Sequence, residues 1–227
     1  MRPGVNERLY LITDGSSETN PAGLLQRVKE ALKGGVRIVQ LREKALGGRR
    51  LLELALKMHE VTAGFGARLL INDRIDVTLL SGADGVHLGQ SSVSASEARG
   101  ILGAGKLIGV STHSLTEARA AEADGADFVT FGPVYPTPSK ACYGPPVGIQ
   151  ALKEVSSSVR VPVYAIGGVK KENLREVIAA GAFGAAVISA VLAGEDPAKD
   201  ARELIEELER GTGPDGAKAK PDRPAVN

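Results

Sequence analysis

Tryptophan is absent from the 227 residues, aromatic side chains make up 4% of them, and there is one cysteine, Cys142. A lone thiol excludes an internal disulfide framework and a cysteine-rich metal site. The scarcity of aromatic faces argues against a stacking platform for single-stranded nucleic acid. Charge of one sign is also missing: 28 Lys and Arg against 27 Asp and Glu leave a net +1, without the basic field that nucleic-acid binding needs. No apolar run approaches the roughly 20 residues of a membrane span, and residues 1 to 8 lack an apolar signal region, so a cytoplasmic protein is expected, with no nucleic-acid and no membrane partner. Neither an H-E-x-x-H motif nor the spacing of a serine-hydrolase triad occurs among the three histidines. His59 is expected to face solvent from a helix, and His87 and His113 to be structural.

What is present is an alternation. Eight short Val/Ile/Leu-rich runs, Arg8 to Thr13, Arg37 to Leu41, Arg68 to Ile71, Gly85 to Leu88, Leu107 to Val110, Phe128 to Phe131, Val161 to Ile166 and Ala185 to Ile188, are separated by segments with apolar residues at three- and four-residue spacing. The pieces "SGADGV", "DGADFV" and "AGAFGAAV" repeat one device, a Gly that caps a helix just before a strand. The pattern predicts an α/β fold, a single (β/α)8 barrel over residues 1–210, with 211–227 as a disordered Gly/Pro/Lys/Asp-rich tail. An open doubly wound sheet would want a G-x-G-x-x-G turn after its first strand, where "LITDGSSETN" stands instead.

In such a barrel chemistry gathers where strands end. The second ends in "VQLREK", with Gln40, Arg42 and Lys44 at alternate positions of an extended segment, two cations and an amide suited to an anion with several phosphate oxygens; a rim ion pair with Glu43 is the plainer reading. The third ends in Asn72 and Asp73, a hard oxygen ligand for Mg²⁺ or else a helix cap. The fifth leads to Ser111, with Ser114 the better helix cap. The sixth opens the longest loop, carrying Thr137, Ser139 and Lys140 among prolines. Gly167, Gly168 and Ser189 close the circle with backbone N–H groups suited to a phosphate.

The stretches "LYLITD", "VQLREK", "INDR", "GADGVHLGQ", "IGVSTHS", "ADFVTFGPVYPTPSK" and "IGGV" with "AVISA", in this order over residues 8 to about 208, resemble the thiamine phosphate synthase family. The resemblance implies a transferase of thiamine biosynthesis that couples hydroxymethylpyrimidine diphosphate to thiazole phosphate and releases pyrophosphate. It implies that Gln40, Leu41, Arg42, Glu43 and Lys44, with Asn72 and Lys140, hold the pyrimidine diphosphate, and that Ser111 meets the pyrimidine. Arg42, Lys44, Lys140 and Ser111 are then the catalytic candidates. Thr137, Pro138, Ser139, Gly168, Ile188 and Ser189 would meet the thiazole phosphate. Asp73 would ligate Mg²⁺, but Ser92 stands where the family usually has a second metal-binding Asp, which should weaken the ion's hold. The related thiazole tautomerases and a non-catalytic phosphate-binding barrel are the alternatives; against the first stand "QLREK" and Pro133, where those relatives tend to carry a catalytic His. Self-association into a homo-oligomer is left open.

Overall fold

The computed structural model describes residues 4–137 and 145–210. Eight parallel strands close on themselves in sequence order: β1 (Leu9–Ile12), β2 (Ile38–Leu41), β3 (Arg68–Asn72), β4 (Gly85–Leu88), β5 (Leu107–Thr112), β6 (Phe128–Phe131), β7 (Val163–Ile166) and β8 (Gly184–Val187), with β8 paired back onto β1. The helices between them are α1 (Pro21–Lys33), α2 (Gly48–Ala63), α3 (Ile75–Ser81), α4 (Ala95–Leu102), α5 (Leu115–Ala123), α6 (Gly148–Ser158) and α7 (Leu174–Ala179), followed by α8 (Ser189–Leu192) and α9 (Pro197–Arg210). This is the (β/α)8 barrel that the alternation predicts. All eight strands fall where expected, with ends moved by at most two residues; β3 runs on to Asn72 and β5 to Thr112, so Ser111 lies inside a strand rather than beyond it.

Both faces of every strand are covered, which is why the strands read as nearly continuous apolar runs. Leu9, Leu11, Val39 and Leu41 point outward into the layer shared with the helices, whereas Tyr10, Ile12, Ile38, Leu70, Leu107 and Phe128 fill the cylinder. Three aromatic rings meet there: Tyr10 meets Phe128 edge-on at 5.5 Å and Phe128 meets Tyr164 at 5.4 Å. The repeated Gly device works as predicted, with Gly82, Gly125 and Gly181 all left-handed (φ 75°, 95° and 88°) just after a helix and before a strand. Ser114 caps α5 through Glu117 N–H, as expected.

One expectation fails in the helical layer. His59 on α2 is half-buried rather than solvent-facing: its ring lies against the α3 turn near Gly82, and Nδ1 is buried without a hydrogen-bond partner among the described residues. Among those residues no helix is long and apolar enough to cross a membrane.

Candidate active site at the carboxyl ends of the strands

Because all the strands run the same way, their final residues share one rim. The basic end of β2 divides in two. Gln40 points into the barrel, 1% exposed, and its amide nitrogen donates to the Tyr10 hydroxyl at 2.8 Å. Arg42 follows on the same side, its N–H held by Thr13 Oγ1 at 2.9 Å. The alternation stops there. Leu46 N–H donates to Glu43 C=O at 3.2 Å, the chain turns, and Lys44 stands exposed on that turn instead of continuing the Gln40–Arg42 face. Leu41 and Glu43 also depart from their expected place toward a ligand. Leu41 is packed in the outer layer. Glu43, 4% exposed, receives hydrogen bonds from Thr13 Oγ1 (2.6 Å), Gly15 N–H (3.2 Å), Ser17 N–H (3.1 Å) and the Ser17 hydroxyl. A carboxylate with four donors needs no cation, so Glu43 is neither a rim ion pair nor a ligand group; it ties the loop after β1 to the end of β2 and thereby fixes the Arg42 backbone.

Neither polar residue at the end of β3 caps a helix. The N-cap of α3 is Arg74, without a side-chain cap bond. Asp73 has φ 64°, and its N–H donates to His87 C=O at 2.9 Å. The Ser92 hydroxyl hydrogen-bonds Asp73 Oδ1 while accepting Gly89 N–H at 2.8 Å. Ser92 therefore does face Asp73. The pair supplies one carboxylate and one hydroxyl, and among the described residues no group of three or more acidic, His or Cys side chains is placed to hold a metal.

The other half of the rim encloses a cavity of 630 Å³ bounded by the ends of β5 to β8 and by α9. Ser111, Thr137, Gly168, Ile188 and Ser189 all line it. Gly167 (φ 89°) and Gly168 (φ 65°) need to be glycine twice over, because a methyl group on Gly168 would lie 2.7 Å from Tyr135 Cβ and 2.8 Å from Pro136 C=O. Ile188 lies just past β8 and Ser189 opens α8. His113 also lines the cavity, with Nδ1 donating to Gly132 C=O. Tyr135 anchors the loop after β6 by donating its hydroxyl to Glu176 at 2.7 Å. Pro138, Ser139, Lys140 and Cys142 lie outside the described residues.

His87, on β4, joins the halves. It is 2% exposed, reaches Tyr10 Oη at 3.2 Å and Ser111 Oγ at 3.0 Å, and sits close enough to Arg42 to feel its charge. Burial foremost, and Arg42 second, lower its pKa to about 3. Gln90 Nε2 donates to Ser111 C=O at 2.6 Å. Arg42 and Ser111 thus gather around one imidazole, with Asp73 tied to the same residue through its main-chain carbonyl, an arrangement that spacing along the chain does not disclose.

The family described as thiamine monophosphate synthase matches residues 9–191 of the chain. A putative thiamine-phosphate synthase of Geobacter sulfurreducens is 56% identical over 201 residues, 88% of this chain and 94% of that protein. The thiamine-phosphate synthase of Clostridium novyi is 45% identical over 192 residues, covering 85% and 94% of the two chains. Among solved structures, the thiamine phosphate pyrophosphorylase of Pyrococcus furiosus superposes with a TM-score of 0.82 at 38% identity, over 91% of this chain and 97% of that one.

Proposed function

The chain belongs to the thiamine monophosphate synthase family, and from that membership we propose that it joins hydroxymethylpyrimidine diphosphate to thiazole phosphate, giving thiamine phosphate and pyrophosphate. The activity is that of a transferase in thiamine biosynthesis. As a biosynthetic enzyme it works in the cytoplasm on small molecules. The observation that carries the reading is the two-sided rim: a cationic, carboxylate-bearing end at β2 to β4 beside a cavity at β5 to β8 lined by glycines and hydroxyls together with Lys170, Lys171, Glu172, Asp200 and Glu203.

The chemistry assigns each half a task. Breaking the bond between the pyrimidine methylene and its diphosphate puts negative charge on the leaving group and positive charge on the methylene carbon, spread into the ring. Arg42, together with Lys140 and with Lys44 on the exposed turn, stabilises the departing diphosphate by charge-assisted hydrogen bonds, and Asn72 adds a neutral donor. Lys44 acts at longer range than Arg42, since it projects from the turn rather than from the strand. Ser111 meets the pyrimidine from the cavity wall. The thiazole phosphate rests among Thr137, Pro138, Ser139, Gly168, Ile188 and Ser189, far from its reacting nitrogen, and this anchor orients the nucleophile. The thiazole nitrogen carries no proton, so no side chain need remove one before the carbon–nitrogen bond forms.

Mg²⁺ fits the Asp73 end on the chemistry of the donors, because this ion is usually held by one or two carboxylates together with substrate phosphates and water. Asp73 would hold it, with the Ser92 hydroxyl contributing a neutral oxygen or a hydrogen bond to the carboxylate; when bound, the ion neutralises charge on the leaving diphosphate.

Incubating the protein with both substrates and Mg²⁺ and following products by mass spectrometry tests this reading. Thiamine phosphate and pyrophosphate in equal amounts are expected. Proton exchange on a thiazole carboxylate without coupling would select the tautomerase instead, and no reaction at all would leave a binding barrel.

A further inference from the structure

The roles above leave unused a buried imidazole at the centre of the site. His87 is accommodated by its neighbour across the sheet: Gly109 pairs with it in β5, and a methyl group there would lie 2.6 Å from His87 Nδ1. The ring packs between Tyr10 and Phe128, with centroids 5.7 Å from each. Both nitrogens have partners: Nδ1 faces Tyr10 Oη at 3.2 Å, and Nε2 faces Ser111 Oγ at 3.0 Å and Thr130 Oγ1 at 3.5 Å.

The direction of this chain of hydrogen bonds follows from its inner end. Gln40 Nε2 donates to Tyr10 Oη at 2.8 Å, so the phenol accepts there and its own hydrogen is available to His87 Nδ1. An imidazole that accepts at Nδ1 carries its hydrogen on Nε2, which then donates to Ser111 Oγ. A cationic ring would carry hydrogens on both nitrogens and turn Nδ1–H against the phenol hydrogen. Burial and the nearby Arg42 guanidinium oppose that form, and the remaining titratable group against the ring is Tyr10, whose pKa is raised by burial. Accepting from His87, the Ser111 oxygen directs its own hydrogen away from the imidazole, and Ser111 lines the cavity.

We propose that His87, backed by Tyr10 and Gln40, is a positioning residue that makes Ser111 a dedicated hydrogen-bond donor to the substrate. The substrate atom facing Ser111 is then an acceptor, a pyrimidine ring nitrogen or a diphosphate oxygen, and never the hydrogens of an amino group. This rests on Ser111 being a substrate contact, as assigned above.

Nitrogen-15 NMR of the full chain labelled at histidine reads the inner half of the relay with no substrate present. A neutral ring protonated at Nε2 from pH 6 to 9 is expected; the Nδ1–H tautomer, or titration within that range, would overturn the proposal. Kinetics read the outer half. His87→Leu and Ser111→Ala should each lower kcat/KM for the pyrimidine diphosphate on the order of tenfold, the scale of one hydrogen bond. The double variant should be no worse than Ser111→Ala alone, because the two residues act as one donor. His87→Gln, whose amide N–H reaches toward the Nε2 position, should retain activity to within about threefold. Losses that multiply in the double variant would show His87 acting on the fold rather than through Ser111. Binding of inorganic pyrophosphate alone separates the two acceptors: weakening by Ser111→Ala marks a phosphate oxygen, and unchanged binding beside a raised KM marks the ring nitrogen. Full activity of Ser111→Ala would remove Ser111 from the substrate site while leaving the tautomer result standing, so the two failures are distinguishable.

Discussion

The rim of β2 to β4 and the rim of β5 to β8 offer an anion two different welcomes. The first presents Arg42, Asp73 and, on the turn, Lys44, all at least partly open to water. The second presents a cavity whose glycines bring the backbone close and whose wall joins the hydroxyls of Ser111, Thr137 and Ser189 to charges of both signs, Lys170 and Lys171 with Glu172, Asp200 and Glu203. The difference matches what happens to each proposed anion. A diphosphate that leaves gains charge during the reaction and repays full charges aimed at it. A phosphate that only anchors keeps its charge throughout, so donors fixed in the cavity wall hold it equally before and after the step.

The comparison breaks first at Arg42. Replacing it with Ala should lower kcat about 10² to 10³-fold, the scale for one preorganised donor to developing charge, with KM for the thiazole phosphate little changed. Steady-state kinetics with each substrate varied in turn would reveal it, and near-normal turnover would dissolve the distinction between the halves.

At their boundary, His87 makes stability depend on pH. Its folded pKa of about 3 lies below the ordinary 6.5, so the unfolded chain binds the proton more readily. Stability is therefore fully present above about 6.5 and is lost as pH falls toward 3. Between pH 7 and pH 5 denaturant titrations should show a loss of roughly 2 kcal/mol from this group, and His87→Gln should remove that component.

On the cavity side, Gly168→Ala forces a side chain into the left-handed region and against Tyr135, and should raise KM for the thiazole phosphate roughly tenfold while sparing the affinity for the pyrimidine diphosphate. If both substrates suffer alike, the cavity is not dedicated to one of them. The smallest effect belongs to Ser92→Asp, which adds a second carboxylate beside Asp73; Mn²⁺ binding followed by electron paramagnetic resonance should tighten several-fold.

How much of this was readable beforehand divides along the same line. The barrel, its eight strands and the residues at the cavity wall follow from local signals: a two-sided apolar run, a glycine after a helix, a serine after a strand. What escaped depends on partners distant in sequence. Glu43 between two basic residues reads as an ion pair, yet it serves hydroxyl and amide donors from residues 13 to 17. Lys44 keeps the strand's alternation in the sequence and loses it to a turn. His87 reads as an ordinary strand residue because Tyr10, Gln40 and Ser111 are brought to it only by closing the cylinder. Asn72 and Asp73 were separable from helix caps only once Arg74 was seen in the capping position.

Among the described residues, Asp73 is the one side chain other than glycine with positive φ. Holding a carboxylate there costs on the order of 1 kcal/mol that Gly would not incur and Asn would incur less. Laboratory evolution for heat tolerance alone, with no demand for turnover, should therefore drift toward Gly or Asn at this position, producing hardier barrels that lack the carboxylate proposed to hold Mg²⁺. A sturdier variant that turns over poorly would mark where this molecule trades endurance for work.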